Sequence, residues 1–394
     1  MVSPEPARTS PALPKLLYLV TEDWYFCSHR LPVARAARAA GFAVAVATRV
    51  DRHGARIVEE GFALHPLGWR RRGDGVLGAL RAIAEIARLY RAERPDIVHH
   101  VALKPVLFGA LACRLAFPRG IAAPSEIAAV MGLGSGFTAG SLSARLRRPA
   151  LGRALGHLAR GGWAIVQNPE DCAALLALGL VPERVALIRG SGVDTYWFAP
   201  LPEPQDATVT VALVARMLRE KGVCEAVAAV RQLRAQGLPV ELLLAGPTDP
   251  DNPGSLTPQA LAALAAEPGV TWLGPVDDVR SVWRRAAIAL LPSTYGEGVP
   301  KTLLEAAACA RPLIAADVPG CREVVRPGTT GLLVPPRDTA ALAAAIAALA
   351  VDPARRRALG EAARALVTRD FAIPVVARDT LALYRTLLRE REGR

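Results

Sequence analysis

The sequence predicts an α/β chain built from two doubly wound, Rossmann-like domains that face each other across a cleft. Three observations lead there. Short apolar runs alternate with helix-period segments along nearly the whole chain, the pattern of parallel strands covered on both faces. At 394 residues the chain exceeds what one hydrophobic core usually serves. The alternation also pauses once, at the proline-rich stretch 193–207, which reads as an interdomain linker. The expected division is a frayed tail over 1–14, a first domain over 15–192, a second over 208–371, and a last helix over 372–394 that crosses back to the first.

Bulk properties narrow the class. Hydrophobic residues make up 52% and charged residues 21%, a globular balance, and no apolar run approaches the ~18–20 residues that span a bilayer. The opening M-V-S-P-E-P-A-R-T-S-P lacks the apolar core of a secretory leader, so a tail is expected there. Six scattered cysteines without a C-x-x-C pair read as reduced thiols in a cytoplasmic protein. The net charge of +12 is uneven: 25 lysines and arginines against 14 acidic residues up to Gly192, and 23 against 22 beyond it. Arg70, Arg71 and Arg72, with Arg145, Arg147, Arg148 and Arg153, dominate the basic half. No interleaved aromatics or nucleic-acid-binding signature accompany them. An anionic membrane surface or a diphosphate-bearing substrate fits that charge better than nucleic acid does; an arginine-rich composition without electrostatic purpose is the plain alternative.

Taken in order, Lys15 to Val20 is the first strand, and L-P-V-A-R-A-A-R-A-A-G-F the helix that follows, closed by Gly41. Phe42 to Thr48, Ile97 to His100, Ile127 to Met131 and Trp163 to Gln167 are further strands, with helices over Leu77 to Arg91 and Pro105 to Leu115 between them. Ligands of such sheets sit beyond the carboxyl ends of the strands. That rule singles out His29 after the first strand, His99, His100 and Lys104 after the one ending near residue 100, and the loop G-L-G-S-G-F (132–137), with Gly134 and Ser135 at its centre. Each taken alone is equally readable as a structural residue or a turn. Asn168 caps a helix expected over Cys172 to Gly179.

The second sheet restarts at Val209 to Val214 and runs into A-R-M-L-R-E-K-G, with Arg216 and Lys221 where two cations would neutralise a diphosphate. Val240 to Ala245 ends at Gly246, Thr271 to Leu273 at Gly274, and Val276 begins a segment suited to backbone contacts with a base. The richest stretch is S-T-Y-G-E-G-V-P-K-T-L-L-E-A-A-A-C-A-R (293–311) after the strand Ile288 to Leu291. Gly296 and Gly298 flank Glu297, Val299 and Pro300 lead into the helix Lys301 to Ala310, and Thr302 completes its first turn. A helix start fed by glycines offers N–H groups and partial positive charge to an anion. Glu297 and Glu305 are acceptor-only and so suited to hydroxyls, which beside a diphosphate describe a nucleotide sugar. Spacing alone serves a solvated glutamate pair equally well.

With these residues collected, the chain resembles glycosyltransferase family 4, the retaining enzymes of GT-B fold, over about residues 15–390. The most specific match is P-S-T-Y-G-E-G-V-P-K-T-L-L-E, similar to the family's E-x7-E region. A-R-M-L-R-E-K-G, D-V-P-G-C-R-E-V-V and T-G-L-L-V-P-P add to it, and F-C-S-H-R-L-P and D-I-V-H-H-V-A-L-K-P are similar to members that build surface polysaccharides or lipid-linked oligosaccharides. The resemblance implies that Glu297 holds the donor hexose, Glu305 the ribose hydroxyls, and Arg216 and Lys221 the diphosphate, with N–H groups from Gly298 to Thr302. Three departures stand out: T-E-D-W-Y-F-C-S-H replaces paired glycines after the first strand, Val101 stands where many relatives have a histidine, and Ala310 replaces a usual glycine, with little expected consequence. A catalytic role is therefore assigned provisionally to His100, with His29, Lys104, Gly134 and Ser135 expected on the acceptor side.

The expected activity is retaining transfer of a hexose or N-acetylhexosamine from a nucleotide diphosphate sugar, UDP-linked for preference, to a glycan carried on a polyprenyl diphosphate. No cofactor or metal is expected, because cations already flank the phosphates and no D-x-D motif occurs. Peripheral attachment to the cytoplasmic face of an anionic membrane is expected too. Other readings are a nucleotide-sugar or nucleic-acid binding protein without turnover, and another GT-B chemistry such as epimerisation. G-x-x-x-x-G-K-[ST] and a G-x-G-x-x-G after the first strand are both absent, against a P-loop ATPase or a dehydrogenase.

Overall fold

The computed structural model describes residues 13–69, 75–119, 121–130, 162–296 and 298–393. Arg70 to Arg72, the arginines at 145–153, Gly134, Ser135 and Glu297 lie outside the described residues.

Two parallel sheets carry the fold. The first holds seven strands among the described residues, β1 (Lys15–Glu22), β2 (Ala43–Arg49), β3 (Ala63–Pro66), β4 (Ile97–Val101), β5 (Ser125–Ala129), β6 (Trp163–Val166) and β7 (Val185–Leu187), in the order 3-2-1-4-5-6-7. The second holds six, β8 (Val209–Val214), β9 (Val240–Ala245), β10 (Val270–Trp272), β11 (Ile288–Leu291), β12 (Leu313–Ala316) and β13 (Gly331–Val334), ordered 10-9-8-11-12-13. Every paired register between these strands is parallel. Continuous apolar runs explain this: β4 and β11 are buried at every position, as strands covered on both faces must be. Each sheet reverses its winding direction once, at β1/β4 and at β8/β11. Those are the switch points where a crevice opens beyond the strand ends.

Several elements go beyond the sequence reading. Helix Asp23–His29 follows β1 directly, β3 is a short strand with no fully buried position, and β13 is four residues between Thr330 and a Pro-Pro pair. Asn168 does cap a helix, its side chain accepting from the Asp171 N–H at 2.7 Å, but that helix spans Pro169–Ala177 and so begins earlier than expected.

The two domains are joined twice at one place. Val193 N–H donates to the Phe371 carbonyl at 2.9 Å, and Ile373 N–H to the Val193 carbonyl at 3.0 Å, so the outgoing and returning chains run side by side. Gly192 has φ +79°, and a Cβ there would sit 3.0 Å from the Ile373 Cα, which is why glycine stands at this crossing. The last helix, Ile373–Glu392, then packs Val376, Leu383, Tyr384 and Leu387 into the first domain's core against Leu16, Tyr18 and Phe42. Its Tyr384 hydroxyl, fully buried, lies 2.8 Å from the Tyr18 hydroxyl and 2.7 Å from His99 Nδ1. A buried polar chain of this kind fixes how the returning helix seats on the sheet.

Ala310 departs from the expectation of little consequence. Helix Lys301–Ala308 ends two residues before it, and Ala310 itself takes φ +59° at the position where a glycine normally closes a helix. A left-handed alanine costs about 1 kcal/mol. Ala310→Gly is accordingly expected to raise the second domain's stability by roughly 0.5–1 kcal/mol, read as a Tm gain of about 1–4 °C with activity unchanged.

Candidate active site

The carboxyl ends of both sheets open onto one cleft of about 1040 Å³. From the second domain it is lined by Val214, Ala215 and Arg216 beyond β8, by Leu291, Tyr295 and Gly296 beyond β11, and by Lys221, Asp277, Asp278 and Val279. Gly298 to Thr302 and Glu305 complete that wall. Trp24, Tyr25, Cys27, Ser28 and His29 form the opposite one, with Arg35 and Arg56 at its margin and Ser191, Asp194 and Trp197 at the crossing.

Backbone constraints set the cations. Gly222 (φ +75°) closes the turn carrying Lys221, and a Cβ there would lie 2.2 Å from the Pro292 carbonyl. Thr294 N–H donates to the Glu220 carbonyl at 2.8 Å. The turn after β8 is thereby tied to the loop after β11, and Lys221 Nζ lies 5.8 Å from the centre of the Tyr295 ring. Arg216 pairs with Asp249, a partner the sequence reading did not name. Lys301, in the first turn of its helix, reaches Glu305 at 3.3 Å and the Ser28 hydroxyl of the facing domain at 3.4 Å. Three cations thus line the same cleft as a helix start, a disposition suited to a diphosphate.

Several expected site residues are placed differently. Val299 N–H is committed to Gln167 Oε1 at 2.8 Å across the domain boundary, which removes it from the anion-binding set; Lys301 and Thr302, as the first helical residues, have N–H groups without an acceptor one turn back. Gly246 (φ +140°) does not line the cleft: a Cβ there would overlap the Ala215 carbonyl at 1.8 Å, so the glycine lets β9 pass beneath Arg216. Val276 packs against the second domain's core while Asp277 and Asp278 face the cleft. His100 is fully buried on β4, with Nε2 2.9 Å from the Tyr90 hydroxyl and Gly109 packed against its ring. Lys104 lies over the rings of Trp69 and Phe108, 5.4 and 5.3 Å from their centres, outside the cleft lining. His100 lies within β4 and turns into the core, whereas Lys104 lies in the helix Leu103–Ala116, half-buried.

His29 does line the cleft, stacked on Tyr25 with ring centres 4.2 Å apart and planes within 4°. Asp23, wholly buried, accepts from the Asp51 and His53 N–H groups at 2.8 Å each and so fixes the start of this helix to the loop after β2. Gln167, Asp249 and Tyr25 carried no sequence signal, because their roles arise from distant partners.

Burial pushes the Glu305 carboxyl above its ordinary value, with Lys301 opposing. A raised folded value means that the stability contribution is full below the unfolded value of 4.5 and lost as pH rises through the folded one. Ionising this carboxyl therefore costs stability in the unliganded protein. Glu305→Gln is expected to raise the Tm of the unliganded protein at neutral pH, with the gap closing on acidification, and to weaken nucleoside diphosphate binding about 10–100-fold through loss of charged hydrogen bonds. Calorimetry at pH 7.5 and 4.5 reads both effects.

Similarity to known proteins agrees with this geometry. The family model for "Glycosyl transferase 4-like" matches residues 15–155 and that for "Glycosyl transferases group 1" matches 208–352, one on each domain. The chain belongs to glycosyltransferase family 4. Among relatives of this family, the alpha-maltose-1-phosphate synthase of Mycolicibacterium smegmatis is 36% identical over 228 residues, 52% of this chain and 58% of that one. The D-inositol 3-phosphate glycosyltransferase of Kribbella flavida is 32% identical over 244 residues, 56% of each. The chain spans a little over half the length of these curated relatives. In fold it is similar to a sucrose-phosphate synthase from Thermosynechococcus elongatus (TM-score 0.78, 23% identity, 96% of this chain and 100% of that one). It is also similar to Anabaena HepE solved with UDP and glucose (TM-score 0.76, 18% identity, 95% and 100%). Both are GT-B folds, as this chain is. Among the described residues no group of three or more His, Cys, Asp or Glu is placed to hold a metal ion, and no helix is long and apolar enough to cross a membrane.

Proposed function

We propose that the protein is a retaining glycosyltransferase that moves a hexose or N-acetylhexosamine from a nucleotide diphosphate sugar to a glycan acceptor. The observation that carries this reading is that Arg216, Lys221 and Lys301 line one cleft with the start of helix Lys301–Ala308, the other wall coming from the first domain. The bond between the anomeric carbon and the diphosphate oxygen breaks with its electrons staying on oxygen. The acceptor hydroxyl forms its bond on the same face, and its proton passes to the departing diphosphate. Cations stabilise the charge that develops there, so a divalent metal is not needed. A uridine diphosphate donor is favoured because HepE, of similar fold, was solved with UDP and glucose.

The acceptor proposed is a polyprenyl-diphosphate-linked glycan of a surface polysaccharide, met by the basic first half at the cytoplasmic face of an anionic membrane. Thermal shift against UDP, GDP and ADP and their sugars tests the donor, because a ligand of the native state raises stability by mass action. Absence of any shift, together with absence of diphosphate release, would sink the reading; retained activity in excess EDTA supports metal independence. Co-sedimentation with vesicles containing anionic lipid at low salt tests the membrane part, and indifference to lipid charge would remove it.

A further inference from the structure

His29, expected on the acceptor side, lines the cleft next to a contact between its two walls. Its neighbour Ser28 meets Lys301 at 3.4 Å, and Lys301 in turn meets Glu305 at 3.3 Å, so the end of helix Asp23–His29 abuts the first turn of helix Lys301–Ala308. Asp23 anchors the start of the His29 helix through two backbone N–H groups, and the parallel Tyr25 ring holds the imidazole face on. This is a positioned side chain on a rigid element. His99 and His100 are both fully buried, which leaves His29 as the histidine lining the cleft among the described residues.

We propose that His29 is the first-domain hydrogen-bond donor to the departing diphosphate, doing from a side chain what backbone N–H groups of a glycine loop would otherwise do. The proposal rests on the transferase reading above. The charged groups acting on His29 are Lys301 from the facing helix, Arg30 next to it in the chain and Arg216 beyond β8, while the Tyr25 backbone carbonyl attracts the ring N–H. Burial, then Lys301 and Arg30, hold the imidazole down to about 3 against the opposing hydrogen bond to the Tyr25 backbone, so it is neutral in the unliganded cleft with one ring N–H, for which a diphosphate would compete with the Tyr25 carbonyl. A diphosphate in the cleft would offset Lys301 and Arg216, raise the proton affinity of the ring and strengthen the same hydrogen bond. No proton leaves His29 in the step; the acceptor's proton still ends on the diphosphate oxygen.

The test uses the full-length protein with a panel of UDP-, GDP- and ADP-sugars, following release of the nucleoside diphosphate. His29→Ala is expected to lower kcat about 10–100-fold, with donor KM changed less than about threefold, since the bond strengthens as charge develops on the leaving group. His29→Gln, which carries an amide N–H, should recover part of that loss. It should also lose the acid-side rise in nucleoside diphosphate affinity that the wild-type imidazole contributes. Ala and Gln variants that turn over like the wild type, or fall equally with a matching drop in Tm, overturn the proposal and leave the transferase reading standing. A wild-type protein that releases no diphosphate from any donor overturns both.

Discussion

Replacing Arg216 and Lys221 together by alanine is expected to lower nucleotide-sugar turnover by about 10³–10⁴-fold, the loss that follows when preorganised charge is removed from a developing anion. The two cations sit on one side of the cleft, on a turn that Gly222 and the Thr294–Glu220 hydrogen bond lock to the loop after β11. Their geometry therefore costs nothing to assemble during the reaction. The effect should fall more on kcat than on KM, because Lys301 and the helix start it occupies remain to hold the ground-state diphosphate. The two single variants should add to more than the double, since both act on the same charge. Asp249 loses its Arg216 partner by the change and only 12% of its side chain is exposed, so a stability loss of about 1–3 kcal/mol accompanies it. Adding Asp249→Asn should recover that stability without recovering activity. Steady-state release of nucleoside diphosphate, paired with thermal denaturation of each variant, separates the two effects. A double variant within tenfold of wild type would remove these residues from the diphosphate site.

How much of this was legible in the sequence follows a physical division. Apolar runs bounded by glycine and proline show where buried parallel strands lie, and the residues just past them show which edge is functional; Arg216, Lys221, Lys301 and Glu305 were all found that way and all line the cleft. The same rule placed His100 and Lys104 at the site and could not see that β4 is buried at every position, so that His100 turns toward Tyr90, or that Lys104 falls in the helix Leu103–Ala116, over Trp69 and Phe108. Proximity along the chain to a strand end does not say which way a side chain points. Gln167 illustrates the opposite limit: its value lies in a hydrogen bond to Val299, 132 residues away, and nothing local announces it. Ala310 shows a third. Substituting alanine for glycine changes little in composition or pattern, yet the left-handed backbone of the position makes the difference energetic.

Glu297→Gln is expected to cut turnover by about 10²–10³-fold while leaving the fold and its Tm intact. The expectation comes from its place in the E-x7-E stretch and from chemistry: as the anomeric carbon loses its diphosphate it gains positive charge, as in glycoside hydrolysis, and a carboxylate both accepts sugar hydroxyls and opposes that charge, whereas an amide does only the first and less strongly. Gly296 and Gly298, on either side of it in the chain, line the cleft beside Tyr295 and Lys301. The change should therefore separate from that of Glu305→Gln. Loss of the Glu297 charge should reduce kcat with nearly unaltered nucleoside diphosphate binding, because the free nucleotide carries no sugar. Loss of the Glu305 charge should weaken the nucleotide itself. Measuring UDP affinity and donor turnover on both variants decides it: equal weakening of UDP by the two would place Glu297 on the nucleotide and not on the sugar, and a Glu297→Gln enzyme of near-normal rate with every donor would remove the carboxylate from the reaction.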